Sequence, residues 1–193
     1  MNLINRKPKK SINRFDYYDP SFANKMANVI SPWLPSLQQP IIVICIGTDR
    51  STGDSLGPLT GSLVGDLHEI TLYGTLEEPI HAVNLLDKLH EINNEYQQPF
   101  IIAVDACLGG TNSIGTIMTE KGPLKPGAAL NKQLPAVGDI HISAVVNRVG
   151  HMDYTVLQNT RLHIVMEMAK KIAQVIQLLD TYIYNNKIKR SDT

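Results

Sequence analysis

Two aspartates, each set against an apolar run, define the chemistry this chain could do. The stretch Ile41 to Pro58 reads IIVICIGTDRSTGDSLGP: a buried-strand pattern, a polar loop, then Asp54 just ahead of a helix start containing Gly57 and Pro58. The stretch Ile101 to Ala106 reads IIAVDA and carries Asp105 at its end. In an α/β sheet, acids at the ends of two apolar strands converge on the edge where such folds place their sites. Two neighbouring carboxylates cannot both ionise cheaply, so they titrate as a coupled pair. One then activates a water while the other protonates an oxyanion or leaving group, which is the chemistry of amide hydrolysis. Thr48, Asp49 and Ser55 flank Asp54 and are expected to line the same cleft as substrate contacts. The loop from Gly109 to Ser113 is a further candidate for positioning a peptide backbone.

Each residue also has a plainer reading. Asp is a favoured helix N-cap, worth about 1 kcal/mol, so Asp54 alone reads as a cap. Asp105 alone reads as a buried acid bonded to loop backbone. His141, in GDIHIS, could complete an Asp54–Asp105–His141 set for a divalent metal, or could be a half-buried strand histidine. Cys107 could be a nucleophile with His141 as its base, or a small packed side chain. The loop from Gly47 to Gly53 follows a strand and opens a helix, the setting of a phosphate cradle. It contains neither GxGxxG nor GxxxxGK[ST], which argues against nucleotide binding.

These residues must be positioned by alternating strands and helices. Pro20 to Ile30 predicts a short helix, Pro32 to Pro40 a connector, and residues 41–47 a central strand covered on both faces. A helix is expected from Asp54 or Ser55 to about His68, with Pro58 tolerated in its first turn. Further strands are expected at 69–75, 100–105, 113–120 and 139–147, with a helix over 81–94 whose apolar positions are Val83, Leu85, Leu86, Leu89 and Ile92. One long amphipathic helix is predicted from Thr155 to about Asn186. The order implies an α/β sandwich in one domain, residues 20–190, behind a flexible lead-in over residues 1–19.

The 193 residues balance 18 Lys and Arg against 18 Asp and Glu, so no global field favours nucleic acid or an anionic membrane. Only Arg6, Lys7, Lys9, Lys10 and Arg14 cluster, as in a solvated tail. Two cysteines do not make a disulfide framework, no apolar run reaches the roughly 18 residues of a membrane span, and the N-terminus lacks an apolar signal core. A cytoplasmic protein without membrane or direct nucleic-acid contact is the expectation.

The segments Gly47 to Pro58, Val104 to Ala106, GDIHISAVVN (138–147) and VLQNTRL (156–162) together resemble the YyaC family of sporulation proteins. That family is related to the spore germination protease, which degrades small acid-soluble spore proteins, and more distantly to hydrogenase-maturation endopeptidases. The resemblance implies a three-layer α/β/α, phosphorylase/hydrolase-like fold with a mixed, mostly parallel sheet. It implies Asp54 and Asp105 as an aspartate dyad without a cofactor, acting on a peptide or small acid-soluble spore protein. The setting would be the mother cell or forespore cytoplasm. The hydrogenase-maturation relationship implies the alternative of a divalent metal on Asp54, Asp105 and His141. Gly53 stands where the protease has proline. A non-catalytic sporulation binding or assembly protein, with the last helix supporting a homodimer, is the third expectation.

Overall fold

In the computed structural model, residues 12–36, 38–127, 134–150 and 152–191 are described. Residues 1–11 of the expected lead-in lie outside them. The rest of the lead-in does not behave as expected: Asn13–Asp16 form a strand, β1, with alternating exposure. Helix α1 (Phe22–Ile30) follows, burying Phe22, Met26 and Ile30 at four-residue spacing. Strand β2 (Ile41–Cys45) is buried at every position, as its unbroken apolar run requires. Then come α2 (Leu56–Leu63), β3 (Ile70–Tyr73), α3 (Leu85–Glu95), β4 (Phe100–Gly109), β5 (Thr116–Lys121), β6 (Ile140–Arg148), α4 (Asp153–Gln158) and α5 (Leu162–Ser191).

The strands form one mixed sheet in the order β1-β5-β6-β4-β2-β3. Strands β3, β2, β4 and β6 run parallel, while β5 is antiparallel to both β6 and β1. Side chains on one face, including Ile41, Val43, Cys45, Ile102, Val104, Ile140 and Ile142, pack with α1, α2 and α5. The other face, through Ile42, Ile44 and Ala103, packs with Leu85 and Ile92 of α3. This is a three-layer α/β/α arrangement. No helix among the described residues is long and apolar enough to cross a membrane.

Two helices differ from their sequence expectation. Helix α2 stops at Leu63 because Gly65 takes a positive φ of 72° and turns the chain. The expected single C-terminal helix is two, separated at Asn159–Arg161. The Thr160 hydroxyl donates to the Val156 carbonyl and accepts from the Asn147 side chain, and these bonds hold the break. Farther along α5, buried Asp180 accepts backbone N–H bonds from His68, Glu69 and Ile70 and so ties the helix to the start of β3.

Glycines set how closely α2 approaches the sheet. A Cβ on Gly57 would lie 2.1 Å from the Ile46 carbonyl oxygen, and one on Gly61 would lie 2.2 Å from that of Gly74. Both obstacles are backbone, which cannot swing aside. Gly57→Ala is therefore expected to destabilise the protein by about 3 kcal/mol, read in equilibrium urea unfolding. A loss within experimental error would show that the helix can shift outward freely.

Candidate active site

The chain passes from β2 to β3 through α2 on one face, and from β3 back over β2 to β4 through α3 on the other. The ends of β2 and β4 therefore flank a topological switch point, where connections diverge and leave a crevice. Strand β2 stops at Cys45, paired with Val104, so Asp105 is the first β4 residue beyond that ladder. Asp105 does not end its strand, as the sequence suggested. Strand β4 continues to Gly109 alongside β6, with Asp105 opposite Ser143.

Asp54 is brought in by the loop after β2. Gly47, at φ 147°, lets the chain turn so closely that a Cβ there would sit 2.0 Å from the Asp54 carbonyl oxygen. Thr48 N–H donates to that oxygen at 3.1 Å. At the other end of the loop, Gly53 N–H donates to the Leu157 carbonyl, anchoring it on α4. The helix cap is Ser55, without a side-chain cap bond, so Asp54 is not the N-cap that its position in sequence suggested.

These elements enclose a cleft of about 670 Å³ lined by Thr48, Asp54, Asp105 and His141 among others. Asp49 is exposed and is not among the lining residues. Ser55 is buried and spends its hydroxyl on the Thr52 carbonyl, a bond within the turn. The Gly109–Ser113 loop likewise does not line the cleft. In their place stand residues that sequence reasoning had not singled out: His81, Ser51, Glu120 and Ser143. His81 arrives because Ile80 bridges to Ile46 and its carbonyl accepts the Gly47 N–H, contacts far apart in sequence. Val83, expected on the apolar face of α3, is instead 77% exposed on the cleft rim, before that helix begins.

The two carboxyls are electrostatically distinct. Burial raises Asp54 to about 6, with the Thr48 backbone N–H and nearby His81 pulling the other way. Asp105 is pushed well above the usual carboxylate range, first by burial and then by the charge of Asp54, against a bond from the Ala106 N–H. Burial and the neighbouring charge thus both favour the protonated form of Asp105, while Asp54 is raised by burial alone. Cys107 is also raised, to about 11, by burial and by Asp105, so it stays a thiol and is poorly suited to nucleophilic attack.

His141 pairs with Ala103 and lies two residues earlier along β6 than Ser143, which pairs with Asp105, a separation of about 7 Å along the strand. Its Nδ1 lies 2.8 Å from the Gly122 carbonyl oxygen. Among the described residues no three His, Cys, Asp or Glu side chains gather as a metal-binding group, so the arrangement does not fit the Asp54–Asp105–His141 metal set.

Ser51 is 5% exposed, and its hydroxyl has no hydrogen-bond partner among the described residues. A buried hydroxyl without a partner is destabilising. Ser51→Ala is expected to raise the unfolding free energy by about 1 kcal/mol in urea unfolding. A decrease instead would reveal that the hydroxyl is bonded in solution.

Comparison with known proteins agrees with this architecture. A family model described as "Protein of unknown function (DUF1256)" matches residues 14–175. The chain belongs to that family. It is 49% identical over 165 residues to "Uncharacterized protein YyaC" of Bacillus subtilis (strain 168), covering 84% of this chain and 80% of that one. The fold is similar to that of the [NiFe] hydrogenase maturation protease HycI from Thermococcus kodakarensis KOD1, with a TM-score of 0.53 at 16% identity, over 81% of this chain and 99% of that one. The matched segment from Arg14 to Val175 takes in most of β1, the loop carrying Asp54 and strand β4 with Asp105.

Proposed function

We propose that this protein is a peptidase that hydrolyses a peptide bond between Asp54 and Asp105, acting on a spore protein during sporulation or germination. The observation that carries the reading is the shared cleft lined by both carboxyls, in which burial and the charge of Asp54 favour the protonated form of Asp105. A water held between them loses a proton to Asp54 as its oxygen attacks the carbonyl carbon, and Asp105 donates its proton to the carbonyl oxygen. Collapse of the tetrahedral species breaks the C–N bond, and the proton taken by Asp54 passes to the leaving nitrogen. As the carbonyl re-forms, a hydroxyl of the tetrahedral species returns its proton to Asp105, so both carboxyls end in their starting states. Similarity to the fold of a maturation protease supports the choice of reaction class.

The test is cleavage of a peptide library and of small acid-soluble spore proteins by the wild-type, Asp54→Asn and Asp105→Asn proteins, read by mass spectrometry. Cleavage by the wild type alone is the expected result. Equal products from all three would remove the dyad, and no product from any would favour a binding role.

A further inference from the structure

The cleft holds a second polar pair that the dyad leaves unused. Glu120 on β5 and His141 on β6 are register partners, and both line the cleft. The Gly122 carbonyl can only accept, so His141 Nδ1, 2.8 Å away, carries a hydrogen. In the neutral ring Nε2 is then an acceptor, and it faces Glu120 Oε1 at 3.9 Å. Two acceptors at that distance cannot bond each other, yet they leave room for a donor to reach both. Their side chains are only 12% and 19% exposed, so water satisfies them poorly. Arg50 and Lys125 line the cleft, but neither forms an ion pair with Glu120 among the described residues. What complements this pair is a positive group with several donors.

We propose that the cleft recognises a Lys or Arg side chain of the bound peptide, seated between Glu120 and His141. The assignment rests on the peptidase reading and adds a substrate class to it. Extended chain advances about 3.3 Å per residue, so the roughly 7 Å between the His141 and Asp105 ladder steps puts the basic residue within two positions of the scissile bond. Val83, Val149 and Tyr154 stand exposed on the rim, where they can cover the aliphatic stem of such a side chain and its apolar neighbours.

Binding can be read without turnover. The protein, labelled with 13C and 15N, is titrated with acetyl-Ala-Leu-Lys-Leu-Ala-amide and with the same peptide carrying norleucine, which keeps the stem and drops the charge. The lysine peptide is expected to move the His141 ring signals and to bind roughly tenfold more tightly than the norleucine peptide, an advantage that Glu120→Gln abolishes. Equal affinity of the two peptides for the wild type overturns the proposal, whatever happens to the variant. Uptake of one zinc ion at His141, with no response of its ring to the lysine peptide, also overturns it in favour of a metal site. Lysine-selective binding without cleavage would retain the subsite and sink the peptidase reading. Cleavage indifferent to lysine or norleucine would do the reverse.

Discussion

Asp105→Asn is expected to lower kcat/KM for peptide cleavage by roughly a thousandfold, the scale of losing a positioned general acid. Asparagine keeps the size of the side chain and donates a hydrogen bond, but it has no proton to give the carbonyl oxygen. Asp54→Asn should cost a similar factor, because the amide cannot take a proton from water. In the wild type the rate rises with pH as Asp54 ionises near 6, and falls again at higher pH as Asp105 loses its proton. The pH–rate profile is thus a bell with its acid limb near pH 6. A flat profile between pH 5 and 8 would contradict the proton assignment.

The same acids affect stability with a definite sign. Both have folded-state values above the usual carboxylate range, so folding favours their protonated forms. Their contribution is fully present below the unfolded value of about 3.9 and is lost as pH rises through the folded values. Asp105→Asn removes a group that is costly to ionise, so its melting temperature should gain on the wild type as pH rises from 5 to 8. Loss of activity with equal or better stability separates a chemical role from a packing defect.

Asp180→Ala is expected to cost about 3–5 kcal/mol, the largest stability effect of any single change considered. The carboxylate is 2% exposed, with Oδ2 accepting from His68 N–H at 3.0 Å and Oδ1 from Glu69 and Ile70 N–H at 2.8 and 2.9 Å. Alanine strands three backbone donors at the entrance to β3. Asparagine should rescue only partly, since its NH2 would face a donor that needs an acceptor. The urea midpoint should fall with an unchanged slope, and the Ile70 amide should lose protection in hydrogen exchange. A cost below about 1 kcal/mol would mean that water replaces the carboxylate at all three bonds.

Strands were the most legible part of this sequence. The run Ile41–Cys45 is apolar on both faces and is a buried central strand; the alternation over Thr116–Lys121 matches a strand with one buried face. Strand β1 was hidden because Asn13–Asp16 is short and polar, and its partner, β5, lies about a hundred residues away. Apolar periodicity ran straight through Asn159–Arg161, where the break depends on Asn147 and on the packing of Gly53 against Thr160. At the site, the strand-end rule drew attention to Asp54 and Asp105, which the fold brings to one cleft. Asp49 and Ser55 are close to Asp54 in sequence, yet one is exposed outside the cleft and the other is committed to its own turn. His81 and Glu120 carried no local signal, since bridges and register formed across the sheet deliver them.

The close seat of α2 changes how loss-of-function screens on this protein should be read. Gly57 touches no reacting atom, yet it fixes the height of the helix that follows Asp54 in the chain. Gly47 sets the turn that carries Asp54 back toward β2. A substitution at either position is expected to lower activity by lowering the amount of folded protein, and a screen scoring activity alone would group these glycines with Asp54 and Asp105. Scoring soluble abundance together with activity separates the two groups: Asp54 and Asp105 variants are expected to stay abundant but lose activity, while glycine variants lose both together.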